Sequence, residues 1–505
     1  MIARLVSRIA GAFCVIAACV ILASAQDAAQ VLRLSVGYTT LKNSTHMEPD
    51  RAAEVEKLAK MAQAANASRQ YGEALKDLYH AMTVIRGKEW SASAELGSAM
   101  VVELKTAMLE QNDKDDVKLR SLFKVGQQPD GPVTGSISLM KGVDAVAQLA
   151  TIPKVDPDLN AHPMSWTVTI PELPDGAYKV RVSLKPGSEE EVHKDLDVRI
   201  ERGLARRVQA ARTVIGTLQG TVKTPQLQDA LASAEYHIEL YSLASSSEVN
   251  LSHIDFDKEV DAGTHELAEL NLGHNPYQER RGDFRRAYLS PVDHTLQPYR
   301  VYVPNSYDGT KAFPLVVALH GMGGDENSYF DQYANGAFKV EAEKHGYIVV
   351  CPKGRKPASM YQGDAEKDVL DVIAAAERDY SIDRDRVYLT GHSMGGYGTW
   401  SIAIAHPDLF AAIAPISGGG NPARVAQVSN IPALVVHGDA DNTVPVQRSR
   451  EMVEAGKKAG EEVKYIEVPG GSHISVPVPT FGDVFAWFDA HPKKGRGASE
   501  TAAQQ

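Results

Sequence analysis

RVYLTGHSMGGYGTWS, residues 386–401, changes its period at the centre. Up to Thr390 it is a β-branched and aromatic run, as a buried strand is. From Gly395 the small and apolar residues continue into SIAIAH with helical spacing. Between the two halves stands Gly391-His392-Ser393-Met394-Gly395, a G-x-S-x-G pattern. A serine on so sharp a strand-to-helix turn has strained backbone angles, and the residues two before and two after it must lack a Cβ to avoid collision. The turn lifts the serine hydroxyl above the sheet at a helix N-terminus. The pattern carries weight only in that context, with a strand before it and a helix after it, and both are present here.

Working outward, YRVYVP, PLVVALHG, YIVVCP, AAIAPISG, ALVVHGD and VKYIEVPG also read as strands. Several are near-continuous apolar runs, expected where both faces of a sheet are covered. Between them AFKVEAEKHG, KDVLDVIAAAERDY, GGYGTWSIAIAH, VQRSREMVEAGKKAG and FGDVFAWFDAH read as helices. Alternation of this kind predicts an α/β fold, a mostly parallel sheet with helices on both faces, whose ligands bind at the carboxyl ends of the strands.

A serine hydroxyl is a poor nucleophile unless a base takes its proton and an acid orients that base. Downstream, HGDADNTVP follows the strand ALVV and supplies Asp441, with Asp439 as the competing acid. Gly470-Gly471-Ser472-His473 follows VKYIEVP and supplies the base, His473. His320, His406 and His437 read as strand-end or packing residues, and His491 lies past the last helix. Acyl transfer also needs donors for a developing oxyanion. The loop His320-Gly321-Met322-Gly323-Gly324 offers the Met322 amide, and the residue after the serine offers the Met394 amide.

From about Tyr288 to His491 the chain resembles the α/β-hydrolase superfamily. YRVYVPNSYDG, PLVVALHGMGG, the run from RVYLTGHSMGGYGTW through HPDLFAAIAPISG, and HGDADNTVP resemble the secreted esterases related to polyhydroxybutyrate depolymerases and to feruloyl or acetyl-xylan esterases. They also resemble peptidases of the prolyl-oligopeptidase-like group. The resemblance implies a serine ester hydrolase (a carboxylesterase) acting through an acyl-enzyme, with no metal and no organic cofactor. The alternatives are a serine peptidase with the same triad and a non-catalytic binding protein on a hydrolase scaffold. Only GGNPARVAQVSNIP separates AAIAPISG from ALVVHGD, too short for a helical cap, so an open site for short-chain or aromatic acyl esters is expected, soluble or attached to a polysaccharide. The loop KGRKPASMYQGDAEKD places Lys353, Arg355, Lys356 and Tyr361 at the expected rim, Tyr361 being the candidate substrate contact.

The front half carries no chemical motif. AAEVEKLAKMAQAA and YGEALKDLYHAMTVI read as a helical hairpin, with helical spacing to about Leu122. GSISLM, WTVTI, YKVRVSL and LDVRI then read as a small sandwich, and LPDGAYKVRV resembles an immunoglobulin-like strand pair with a tyrosine corner at Tyr178. Helical spacing returns from Arg206 to about Leu272. Arg280, Arg281, Arg285 and Arg286 read as a solvated linker.

The first residues hold Arg4 and Arg8, an apolar run from Ile9 to Leu22 and Ala23-Ser24-Ala25, the pattern of a cleaved signal peptide. The alternatives are an uncleaved membrane anchor, for which the apolar run is short, and lipid attachment at Cys19. Cleavage removes Cys14 and Cys19 and leaves Cys351 alone, so no internal disulfide is expected. The expected domains are a signal peptide (1–25), a helical region (26–129), an Ig-like β-sandwich (130–202), a helical segment and linker (203–279), an α/β-hydrolase catalytic domain (280–495) and a disordered tail (496–505). The product is expected to be secreted or periplasmic, with no membrane span after cleavage. In all, 505 residues with 43% hydrophobic and 23% charged composition exclude fibrous and wholly disordered classes. A formal charge of -11 argues against nucleic acid as a partner.

Overall fold

A computed structural model of the chain describes residues 28–156, 158–243, 254–356, 358–428 and 430–493. The expected leader and tail lie outside them. In chain order the helices α1 (Ala28–Ser44), α2 (Pro49–Ala67), α3 (Tyr71–Ile85) and α4 (Ala92–Ala99) are followed by strands β1 (Met100–Glu103), β2 (Met108–Leu109), β3 (Lys114–Ser121), β4 (Val133–Lys141), β5 (Asp144–Ile152), β6 (Met164–Thr169), β7 (Gly176–Pro186) and β8 (Val192–Ile200). Then come α5 (Leu204–Gln219), α6 (Pro225–Leu243), α7 (Phe256–Asn271), β9 (Gly282–Leu289), β10 (Leu296–Val303), β11 (Phe313–Leu319), α8 (Ala337–His345), β12 (Ile348–Pro352) and α9 (Asp364–Asp379). The chain continues through β13 (Ile382–His392), α10 (Met394–Ala405), β14 (Ala412–Ile416), β15 (Ala433–Gly438), α11 (Gln447–Ala459), β16 (Val463–Val468) and α12 (Pro477–Ala490).

Two compact units result. Within the described residues one comprises 28–105, 112–172 and 177–198, the other 106–111, 173–176 and 199–493. In the first, α2 and α3 bury Val55, Leu58, Ala74, Leu75 and Leu78 against one another, as their spacing predicts. The helical reading fails beyond Ala99, where β1 and β3 pair antiparallel. Val117, Leu119 and Ser121 alternate inward along β3, a period of two that the charged residues between them disguise. Strand β5 was not expected either, because DAVAQLATI has few β-branched residues. Its antiparallel pairing with β4, from Lys141↔Asp144 to Gly135↔Ile152, sets its conformation.

The second unit is built on an eight-stranded sheet in the order β16-β15-β14-β13-β11-β12-β10-β9. Strands β11 to β16 pair parallel, and β9 and β10 add two antiparallel strands at one edge. Side chains alternate across it. Leu315, Val317, Leu319, Val387, Leu389 and Val435 enter one core with α9, α10 and α11, while Val316, Ala318, Tyr388, Ala414 and Val436 enter another with α8 and α12. Covering both faces explains why the central strands are apolar throughout. Among the described residues no helix is long and apolar enough to cross a membrane.

Two expectations are corrected here. A boundary at residue 280 does not separate compact units, because Leu204, Val208, Ala211, Ile215 and Leu218 of α5, with Ala234 and Ile238 of α6 and Val260 and Leu267 of α7, share the core of β9 to β11. Nor is the arginine cluster a solvated linker. Arg285 and Arg286 lie on β9, and Arg286 is fully buried, its Nη1 2.7 Å from Asp379 Oδ2 and its guanidinium 4.1 Å from the Tyr277 ring centroid. Arg285 pairs with Glu326, and Arg280 with Glu266 at 3.0 Å. The charges of Arg285 and Arg286 stay inside because each meets a carboxylate brought from a distant element. Breaking a buried pair from one side strands the other charge, at a cost of about 3–5 kcal/mol. Arg286→Leu is therefore expected to lower the urea midpoint strongly, and Arg286→Leu with Asp379→Leu to lower it less. Equal losses in the two proteins would contradict this.

Candidate active site

Ser393 sits between the last residue of β13 and the first of α10, at φ 59° and ψ -117°. The strand is held in register by β11 and β14 on either side, and the Ser393 N–H donates to the Ile416 carbonyl at 2.9 Å. The helix turns back so tightly that a Cβ on Gly391 would lie 2.4 Å from the Gly395 carbonyl oxygen, and one on Gly395 would lie 2.0 Å from that of Leu319. Neither contact is tolerable, so the two glycines are steric requirements of the turn. Because α10 begins at Met394, the amide of that residue is a first-turn donor with no intrahelical carbonyl to meet.

The Ser393 hydroxyl donates toward His473 Nε2 at 2.9 Å, and His473 Nδ1–H donates to Asp441 Oδ2 at 2.7 Å. His473 follows β16 and Asp441 follows β15. Their two loops touch through glycines: a Cβ on Gly438 would lie 2.0 Å from the Gly471 carbonyl oxygen. Asp439 belongs to this junction and not to the line of bonds through His473, since its Oδ1 accepts the Gly470 N–H at 2.6 Å. Asp441 is buried, and its Oδ1 accepts the amides of Thr443 and Val444, each at 2.8 Å. Burial alone would raise its pKa, but hydrogen bonds from His437 and His473 outweigh that and hold it well below the ordinary carboxylate range. Asp441 is thus a carboxylate throughout the neutral range. It fixes the His473 tautomer, with Nε2 free to accept from Ser393.

The loop of Gly321 and Met322 runs beside the serine. A Cβ on Gly321 would lie 3.4 Å from Ser393 Cβ. His320 braces the loop from behind, its ring nitrogens 2.8 and 2.7 Å from the carbonyl oxygens of Gly321 and Lys353. The Met322 side chain packs against the core and the Met394 side chain is buried, so any part these residues take at the serine falls to their amides.

Tyr361 is not at the rim. It is fully buried, its hydroxyl donating to the His320 carbonyl at 3.4 Å, and Gly354 and Gly398 make room for its ring: a Cβ on either would lie 2.6 or 2.7 Å from it. It supports the loop from below and cannot touch a substrate there. Arg355 is also structural, its Nε 2.6 Å from the buried Asp368 and its Nη1 2.5 Å from Asp293. Position in a rim loop does not say which way a side chain turns, which is why both were misplaced by sequence. Conversely, His437, read from sequence as a strand-end or packing residue, is fully buried and faces Asp441 Oδ2 at 3.3 Å, while His392 and Tyr333, to which no role was given, form a chain to the His473 backbone. Only the middle position of G-x-S-x-G could have drawn attention to His392.

Residues 297–473 match the family described as "Putative esterase". A bifunctional acetylxylan esterase/xylanase of Neocallimastix patriciarum is 32% identical over 215 residues, covering 40% of this chain and 31% of the relative. Feruloyl esterase B of Talaromyces stipitatus is 29% identical over 135 residues, 25% of this chain and 36% of the relative. The chain therefore spans about a third of the length of these two curated relatives. A solved thermostable esterase aligns over 78% of this chain and 99% of its own at 17% identity, with a TM-score of 0.38.

The steric reading of the turn makes a direct forecast. Gly395→Ala forces a Cβ into the Leu319 carbonyl and should cost at least the ~1–3 kcal/mol typical of overpacking. A thermal melt matching the unsubstituted protein would show that the turn relaxes freely.

Proposed function

We propose that this chain, whose residues 297–473 are an esterase segment on an α/β-hydrolase fold, is an exported serine hydrolase that cleaves carboxylic esters through an acyl-enzyme. The observation that carries the reading is the unbroken line from Asp441 through His473 to Ser393, at 2.7 and 2.9 Å, ending on a serine held at φ 59°. In this reading Ser393 Oγ attacks the ester carbonyl while His473 Nε2 takes its proton. The tetrahedral oxyanion is met by the amides of Met322 and Met394, each donor being worth about 3–4 kcal/mol in such sites. His473 returns the proton to the leaving alcohol, the acyl group stays on Ser393, and a water activated by His473 releases the acid. The mechanism calls on no metal or organic cofactor.

The likeness to acetylxylan and feruloyl esterases supports short or aromatic acyl groups on a polysaccharide as the substrate class. The span between β14 and β15 supports an open site, since among its described residues it holds only a 3-10 turn at Pro422–Val428. In the first unit we read the strands around the buried Tyr178 of β7 as an immunoglobulin-like module. Export rests on the pattern of residues 1–25.

A panel of acetyl, feruloyl and short-chain aliphatic esters with an aminoacyl anilide tests the reading. Turnover should be confined to esters, and a preference for the anilide would make the chain a peptidase. Ser393→Ala and Asp441→Asn should each lower kcat by about 10^4-fold or more. Asp439→Asn should leave kcat near its starting value, and a loss equal to that of Asp441→Asn would overturn the choice of acid.

A further inference from the structure

His392 stands immediately before the serine yet takes no part in the proton path. It is 5% exposed. Its Nε2 lies 2.9 Å from the backbone carbonyl oxygen of His473, and its Nδ1 lies 2.8 Å from the Tyr333 hydroxyl. A carbonyl only accepts, so Nε2 carries the hydrogen. A neutral ring then leaves Nδ1 as the acceptor, and the Tyr333 hydroxyl donates to it. The surroundings support this single arrangement. Burial, followed by the nearby His473, pushes the His392 pKa down to about 3, and burial raises that of Tyr333 above its ordinary value. A neutral ring also matters for His473, 4.7 Å away between centroids, because a cation there would oppose its taking a proton.

The chain of contacts reaches across the fold. Tyr333 meets the His392 ring edge-on at 5.8 Å and the Phe481 ring edge-on at 5.9 Å, and Phe481 lies on α12, the helix that follows the His473 loop. The tip of that loop is open to solvent, with Ile474 81% exposed. Its bonds between Ser472 and Ser475 are local and fix nothing outside it. The bond from His392 ties residue 473 itself to the end of β13, the strand that carries the serine.

We propose that His392 is a positioning residue: its Nε2–H, aimed by the Tyr333 hydroxyl, anchors the His473 backbone so that one rotamer of the His473 ring meets both Ser393 and Asp441. The inference rests on the reading of His473 as the base. Its energetic logic is that of orientation, where a displacement of about 1 Å at a reacting group costs about 10^2-fold in rate.

Two amide substitutions separate anchoring from general packing. His392→Gln places an N–H donor where Nε2 stood, and His392→Asn is one methylene too short to reach the carbonyl. With a soluble ester, His392→Asn should lower kcat by about 100-fold with KM little changed, while His392→Gln recovers most of the rate. Equal kcat in the two variants, whether both intact or both impaired, overturns the proposal. Should His392→Asn lose its cooperative melt, Tyr333→Phe decides, since it keeps the ring contacts and removes only the donor. A several-fold loss of kcat at constant KM supports the anchor, and an unchanged kcat overturns it. Ser393→Ala distinguishes the two levels of failure. Residual turnover there sinks the serine-hydrolase reading, whereas an inactive Ser393→Ala beside a fully active His392→Asn sinks only the anchor.

Discussion

A serine at φ 59° and ψ -117° occupies a backbone region that costs on the order of 1–3 kcal/mol for a residue with a side chain. It persists only where its surroundings leave no alternative. Here they consist of a strand locked between β11 and β14, a helix that starts one residue later, and two glycines at van der Waals limits with the Gly395 and Leu319 carbonyls. The parallel sheet and its two covered faces are what make this corner rigid, since β13 cannot shift without disturbing both cores, nor α10 without disturbing one of them. The strain aims the hydroxyl out of the carboxyl end of the sheet, and the other functional groups are arranged around that direction.

The second requirement is charge. A carboxylate taken out of water is unfavourable unless its oxygens are bonded. Asp441 is supplied with two amides on Oδ1 and with His473 on Oδ2, His437 lying nearby. These partners come from its own tight turn, from β15 and from the loop after β16, so the acid is organised by the contact of two loops. The solvent-exposed pair of Arg450 and Glu467 is a useful contrast, because water screens it and little depends on it. The buried pairs of the β9 arginines resemble Asp441 more closely. Each is a charge whose partner arrives from an element remote in sequence, Glu326 from the loop after β11 and Asp379 from the end of α9.

How much was legible in sequence follows from how local each feature is. The order of strands and helices from YRVYVP onward could be read because apolar period and glycine position are properties of short segments. The turn at Ser393 could be read for the same reason. The choice between Asp439 and Asp441 could not, because the two side chains are two residues apart and differ only in direction, one toward Gly470 and one toward His473. Tyr361 and Arg355 failed in the same way: a rim loop can turn its side chains inward. Strand β9 was hidden by its charges, and β3 and β5 by compositions that only cross-strand pairing makes β.

The sequence by itself determined the alternating α/β grammar, the glycine-flanked serine, and the chain order of serine, acid and histidine. These follow from covalent neighbours and from patterns of a few residues. Tertiary structure alone decided which acid faces the histidine, that the arginines of β9 are interior, that Tyr361 is a support, and that His392 and Tyr333 reach the histidine loop. Each depends on the direction in which a side chain leaves its backbone and on what another element brings within 3 Å. No local pattern encodes that distance.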